Sequence, residues 1–275
     1  MPVRVNLPET FAARIAAASR PQVGMWVCSG SPIIAEIAAG SGVDWVLIDA
    51  EHSPNGLESI LGQLYAMSGY PVAPVVRPPI GDTVVLKQYL DLGVQNLLVP
   101  MVDSAEQAAE LVRAMRYPGG GVRGVGASLA RSSRWNRVEE YLQHASATIS
   151  LTVQIESAAA VAAAAEIAAV GGVDALFVGP ADLAASMGVL GQQSHPDVVA
   201  AVLSSIEAGR AAGKPVGVNA FVPEDAERYL AAGASFVAVG ADVAILARAS
   251  EGLADRFIPQ TGADVPGADA PRTSY

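Results

Sequence analysis

Four stretches of this chain repeat one pattern, a glycine and a small apolar residue followed by two variable positions and an apolar run. They are Gly42-Val43-Asp44-Trp45-Val46-Leu47-Ile48, Gly93-Val94-Gln95-Asn96-Leu97-Leu98-Val99, Gly172-Val173-Asp174-Ala175-Leu176-Phe177-Val178 and Gly233-Ala234-Ser235-Phe236-Val237-Ala238-Val239. Each glycine stops a helix and each apolar run opens a strand buried on both faces. The repeats are too widely spaced for one strand each. Further apolar runs fit between neighbours at 72–77, 149–156 and 215–221, and another lies near the start at 23–27. Eight strands alternating with helices argue for a (β/α)8 TIM barrel. The competitor is a doubly wound open sheet, which normally carries a glycine-rich turn after its first strand. Here that strand runs into Cys28-Ser29-Gly30-Ser31-Pro32, which is no GxGxxG pattern.

The bounds of the chain agree with one barrel domain over 1–258. An N-terminal helix is expected at 7–20, and a Gly-, Pro- and Asp-rich tail at 259–275, peripheral to the domain. With 51% hydrophobic residues the chain buries a large core. A net charge of −10 argues against nucleic acid or an anionic membrane as partner. The alanine-rich stretch at 158–170 is too short and too weakly apolar to span a bilayer and reads as a buried helix. Cys28 is the only cysteine, which fits a reducing cytoplasm, and Met1-Pro2-Val3-Arg4 lacks the apolar core of a signal peptide.

The carboxyl ends of barrel strands converge on one mouth, so the residues there are the candidates for chemistry. The strand at 45–48 delivers Asp49, Glu51 and His52, and the strand at 72–77 ends in Arg77. The strand at 149–156 delivers Gln154 and Glu156, the next leads into Gly179-Pro180-Ala181-Asp182, and the last ends near Asp242. His52 is the candidate proton shuttle, with Asp49 the nearest orienting carboxylate. Arg77 ends a buried strand and needs a counter-charge; it either stabilises an enolate or keto oxygen, or pairs structurally with Asp49 or Glu51. Glu156 and Asp182 suit a hard or borderline divalent ion, magnesium, manganese or cobalt, though either acid also serves as a helix cap. Backbone N–H groups at Gly179, Pro180 and Ala181 either hold a substrate carboxylate or form an ordinary turn.

Several residues count against other chemistries. Lys87 lies within a helix and Lys214 precedes its strand, so neither reaches the mouth to form a Schiff base. With one cysteine, a structural zinc site is disfavoured. Cys28 reads as a small filler, His144 and His195 lie in polar surroundings with no assigned role, and the arginines at 123, 131 and 134 match no P-loop. The long connection at 117–137 is of a length that usually carries function.

Asp49-Ala50-Glu51-His52, Pro74-Val75-Val76-Arg77-Pro78, Leu98-Val99-Pro100-Met101, Arg123-Gly124-Val125-Gly126, Gln154-Ile155-Glu156 and Val178-Gly179-Pro180-Ala181-Asp182-Leu183 resemble the HpcH/HpaI aldolase family, from the first strand to Arg256. These are metal-dependent class II pyruvate aldolases, typified by 4-hydroxy-2-oxoheptanedioate aldolase. The resemblance implies a barrel of the phosphoenolpyruvate/pyruvate type and homohexamers, trimers of dimers, that exchange the last helix. It implies reversible aldol cleavage of a 4-hydroxy-2-oxo acid to pyruvate or hydroxypyruvate plus an aldehyde. It assigns His52 as base, Arg77 as transition-state stabiliser, Glu156 and Asp182 as metal ligands, and Gln154 and Ala181 as pyruvate contacts. It also makes Asp91 raise the basicity of a histidine, which requires reach across a subunit interface. A thioester lyase like the citrate lyase β-type proteins is the alternative within the same superfamily. Residues 218–222 border the mouth and depart from the family pattern.

Overall fold

The computed structural model describes residues 3–259. Eight parallel strands close into a barrel in sequence order, with the first pairing the last. They are β1 (Gln22–Val27), β2 (Trp45–Asp49), β3 (Ala73–Arg77), β4 (Asn96–Val99), β5 (Ser150–Ile155), β6 (Ala175–Val178), β7 (Val216–Asn219) and β8 (Phe236–Ala241). The helices before the long connection are α1 (Phe11–Ala17), α2 (Pro32–Ala39), α3 (Leu57–Ala66), α4 (Thr83–Asp91) and α5 (Ala105–Met115). Those after it are α6 (Tyr141–His144), α7 (Ala158–Ala162), α8 (Ala164–Ala169), α9 (Pro180–Ser186), α10 (Pro196–Ala211), α11 (Pro223–Ala231) and α12 (Asp242–Phe257). No helix among the described residues is long and apolar enough to cross a membrane.

The four repeat glycines share one conformation. Gly42, Gly93, Gly172 and Gly233 have φ of 94°, 88°, 108° and 99°. Residues with a Cβ rarely adopt that region, so glycine ends the helix and turns the chain into the next strand.

Two packed layers follow from the two-residue period of the strands. Val46, Ile48, Leu176 and Val178 face outward onto the helices. Trp45, Leu47, Phe177 and Phe236 face inward, and Phe11 of α1 closes the amino-terminal end against them. The Phe11 ring centroid lies 5.3 Å from Trp45 and 5.1 Å from Phe236. These rings need room that the neighbouring strands provide. Gly24 pairs in register with Trp45, and Gly217 with Phe236. A Cβ at Gly24 would lie 2.4 Å from the indole, and one at Gly217 would lie 2.1 Å from the phenyl ring. Each glycine is therefore required by an inward aromatic on the adjacent strand.

Three expectations change in detail. The N-terminal helix spans Phe11–Ala17 rather than 7–20, because Thr10 caps it by accepting the Ala13 N–H and Ala18 is extended. The alanine-rich stretch forms two helices, not one, bending at Ala163 (φ −93°, ψ 2°) so that both pieces pack against α10. In the long connection Arg134, Trp135 and Asn136 have positive φ, a run that the composition did not announce. Of the tail expected at 259–275, residues 260–275 lie outside the described residues.

Candidate active site

The strand register sets the first pair. Asp49 and Arg77 are the last residues of β2 and β3 and lie opposite each other. Both continue the inward face, two positions beyond Leu47 and Val75, and both are buried at 2% exposure. Arg77 Nε donates to Asp49 Oδ1 at 2.9 Å, and Arg77 Nη1 lies 2.7 Å from Glu51 Oε2. The guanidinium also sits 4.2 Å above the ring of Trp26 from β1. Both structural partners foreseen for Arg77 are thus present together. Burial raises the Glu51 carboxyl above its ordinary range, against the pull of Arg77 and His52.

Asp49 does more than pair with Arg77. Its Oδ1 accepts the Glu51 N–H at 3.0 Å, and its Oδ2 accepts the His52 N–H at 3.3 Å and the Ser53 hydroxyl at 3.0 Å. Its carbonyl accepts Asn55 Nδ2 at 2.7 Å. Asp49 therefore fixes the backbone that carries His52, not the imidazole. The ring's nearest carboxylate is Glu51, with His52 Nε2 3.7 Å from Glu51 Oε2. The expected Asp49–imidazole contact is replaced because the turn folds the Asp49 carboxylate under the peptide N–H groups. The His52 side chain is 65% exposed at the rim, so its outer edge is open to substrate or to another subunit.

Asp91 lies elsewhere. Helix α4 runs back from the mouth after β3, and Asp91 is its last residue, at the opposite edge of the barrel. It accepts Arg123 Nη2 at 2.8 Å, and Arg123 is fully buried. Arg131 Nη1 donates to the Leu92 carbonyl at 3.1 Å, so these arginines hold the end of α4.

The other half of the mouth is a carboxylate set short of positive charge. Glu156 follows β5 and is buried; its Oε1 accepts the Met101 N–H at 2.7 Å, and its Oε2 accepts Gln154 Nε2. Met101 holds the left-handed φ of 56° that aims this N–H. Burial pushes the Glu156 carboxyl up to about 7, and the charges of Glu51 and Asp182 push in the same direction. Gln154 Oε1 is buried with no hydrogen-bond partner. Two carboxylates that bear on each other, beside an orphaned amide oxygen, fit a divalent cation that keeps positions for water and substrate oxygens. Among the described residues no group of three or more His, Cys, Asp or Glu converges for a metal.

The turn after β6 differs from its expectation. The Gly179 N–H donates to the Ile155 carbonyl at 3.1 Å, and Pro180 has no N–H. Gly179 and Pro180 therefore have no N–H free for an anion. Gly179 has another use: a Cβ there would lie 2.8 Å from Gln154 Nε2 and 3.0 Å from Glu156 Oε2. Asp242 accepts the N–H groups of Cys28 at 2.8 Å and Ser29 at 3.1 Å, tying β8 to β1. Burial pushes the Cys28 thiol up to about 11, which makes it a poor nucleophile.

Sequence reasoning left Trp26, His195 and Asn219 without roles and gave Glu51 only as a structural partner of Arg77. Glu51 stood in plain view between Asp49 and His52, but its bridging position depends on the barrel register. A cavity of about 790 Å³ opens beside Asp182, lined by the 190–196 loop and the end of β7, and His195 and Asn219 are in its wall.

The fold and the mouth define a (β/α)8 barrel with a carboxylate, arginine and histidine site at its carboxyl-terminal end. The profile described as HpcH/HpaI aldolase/citrate lyase matches residues 22–249, and the chain belongs to that family. It is 55% identical over 251 residues to a hydroxypyruvate/pyruvate aldolase of Deinococcus radiodurans, covering 91% of this chain and 90% of that one. It is 51% identical over 261 residues to a 4-hydroxy-2-oxo-heptane-1,7-dioate aldolase of Escherichia coli, covering 95% and 99%. Among solved structures, an HpcH/HpaI aldolase/citrate lyase family protein of Burkholderia cenocepacia superposes with a TM-score of 0.85 at 39% identity, covering 89% and 97%.

Proposed function

We propose that this protein is a class II aldolase that reversibly cleaves 4-hydroxy-2-oxo acids to pyruvate or hydroxypyruvate and an aldehyde. The observation that carries this is the pairing, at one mouth, of a cation-poor carboxylate set (Glu156, Asp182) with a buried guanidinium held rigidly by Asp49 and Glu51. Glu156 and Asp182 would hold a divalent cation, magnesium, manganese or cobalt, which when bound supplies the Lewis acidity that activates the 2-oxo acid. Arg77 places fixed positive charge where oxygen charge develops, and it needs no reorganisation because two carboxylates and the Trp26 ring lock it. Gln154 orients the oxo acid, and the N–H of Ala181 takes its carboxylate. His52, at the exposed rim beside Glu51, moves the proton between substrate carbon or hydroxyl and water.

The assembly we propose is a homohexamer, a trimer of dimers, in a cytoplasmic setting that suits a single cysteine. Its support is α12, whose Val243, Ile245, Leu246, Leu253 and Phe257 are exposed in the single chain. In such an assembly Asp91 would meet His52 of a neighbouring subunit across an interface. Molar mass by light scattering tests the assembly. The thioester-lyase alternative has the weaker support: the family description includes citrate lyases, but the relatives of about half identity are named aldolases, and no lysine or arginine lines the cavity beside Asp182 among the described residues.

The test of the activity is deuterium exchange at the pyruvate methyl group, followed by proton NMR with manganese, with magnesium and with EDTA. Exchange that requires metal is expected. No exchange from pyruvate or hydroxypyruvate with any of these metals overturns the reading.

A further inference from the structure

Strand β4 ends at Val99, and Pro100 after it has no N–H to extend the ladder. The next two N–H groups still reach across to β5 and the residue that follows it. The Val102 N–H donates to the Gln154 carbonyl at 3.3 Å, and the Met101 N–H donates to Glu156 Oε1 at 2.7 Å. The turn that aims them runs through Met101, whose φ is 56°. A residue with a Cβ is disfavoured there, and the side chain gives no reason for the conformation, since Met101 is 53% exposed. The other non-glycine residues of positive φ among the described residues all lie between α5 and β5. Met101 is thus a strained backbone position that touches a buried carboxylate of the mouth.

The two oxygens of Glu156 face different neighbours. Oε1 is taken from the β4 side by Met101. Oε2 lies towards the turn after β6: it accepts Gln154 Nε2, and a Cβ at Gly179 would lie 3.0 Å from it. That turn carries Asp182, and the missing side chain at Gly179 keeps the side open. The two donors also differ in kind. Gln154 is a side-chain amide whose own carbonyl has no partner, so it can turn away. A backbone N–H cannot turn without moving the end of β4.

We infer that the backbone of Met101 positions the metal-binding half of the mouth: it occupies Glu156 Oε1 and leaves Oε2, beside the Asp182 turn, as the oxygen presented to a divalent cation. The inference rests on Glu156 being a ligand, as proposed above. A carboxylate free to turn about its last bond presents either oxygen or both, whereas one pinned by a fixed donor presents a single one. The device lies in the backbone of residue 101. Substitutions there should therefore sort by whether they accept a left-handed φ. Glycine and asparagine do, and β-branched valine does not.

The first measurement is Mn2+ affinity by calorimetry on the metal-stripped full chain, for the native protein, Met101→Gly, Met101→Asn and Met101→Val. Thermal unfolding checks that each is folded. Glycine and asparagine share nothing with the methionine side chain, yet both should stay within about threefold of the native affinity. Valine should bind about tenfold more weakly or worse. Loss of affinity in the glycine variant would assign the effect to the thioether side chain and overturn the inference, as would native affinity in the valine variant. A second measurement does not depend on the valine variant folding. Hydrogen exchange at the Met101 amide is followed in EDTA, by mass spectrometry with fragmentation, in the native protein and in Glu156→Ala. Removing the acceptor should speed that exchange about tenfold or more while the β4 amides keep their rates. Unchanged exchange overturns the inference without reference to any metal. Glu156→Ala with native Mn2+ affinity removes the ligand itself and takes down both readings. Native affinity in Met101→Val beside lost affinity in Glu156→Ala takes down the positioning role alone.

Discussion

Asp49→Asn tests whether the mouth is held together as the geometry implies. The carboxylate accepts four hydrogen bonds, two on each oxygen: Glu51 N–H and Arg77 Nε on Oδ1, His52 N–H and the Ser53 hydroxyl on Oδ2. An amide keeps only one acceptor oxygen. If that oxygen faces Arg77, its NH2 faces the His52 N–H and the Ser53 hydroxyl. The hydroxyl turns to accept, but the His52 N–H loses its partner. The Arg77 bond also loses the carboxylate charge, worth about 1–2 kcal/mol as the gap between a charged and a neutral acceptor. The stranded N–H costs about 1–3 kcal/mol. Glu51 still pairs with Arg77, which places the total near ~3 kcal/mol, at the low end for breaking a buried pair. Urea unfolding should show a lower midpoint with an unchanged slope. Pyruvate exchange should fall about tenfold or more, because the turn carrying His52 loosens. A stability change under about 0.5 kcal/mol would refute the network argument. Normal stability with abolished exchange would show instead that Asp49 acts on the chemistry directly.

Other outcomes follow from the same coordinates. His52→Ala should lose most aldol turnover and still bind Mn2+; full retained turnover would remove it as the proton carrier. Glu156→Gln should lose Mn2+ binding by calorimetry, and unchanged affinity would remove it as a ligand. Gly217→Ala drives a methyl into the Phe236 ring and should destabilise by about 1–3 kcal/mol or more, read by thermal unfolding. With its thiol pushed up to about 11, Cys28 should alkylate slowly at pH 8 in the native protein and faster by about tenfold per pH unit towards 11. The sign follows: the neutral thiol favours the fold below the ordinary value of 9.0, and that contribution is lost as pH rises through about 11. Rapid native labelling at pH 8, followed by mass spectrometry, would contradict the burial argument.

Much of the architecture was legible in the chain. The Gly-apolar repeat announced strand starts because a helix stop, a positive φ and a buried apolar run are each local demands on residue type, and all four glycines meet them. Strand-end placement then nominated Asp49, His52, Arg77, Gln154, Glu156 and Asp182, since a two-residue period shows which side chains leave the core at the end of a strand. Ser31 and Pro32 likewise marked the start of α2 by their own chemistry.

What tertiary structure decided are relations between residues far apart in the chain. Asp49 and Arg77 are 28 positions apart, and only the closed barrel's register sets them opposite each other. The same closure turns Glu51 into the bridge between Arg77 and His52, and takes the Gly179 N–H for the Ile155 carbonyl. Alanine's preference for helix is satisfied by one helix or two, so only packing against α10 chose the bend at Ala163. The cavity beside Asp182 is the clearest case. Its walls come from three separate connections, and its shortage of positive charge exists only once Asp225 has taken Arg228 and the 190–196 loop has folded beside β7. Local periodicity determines which residues stand at the mouth; the long-range packing of the barrel determines which of them touch.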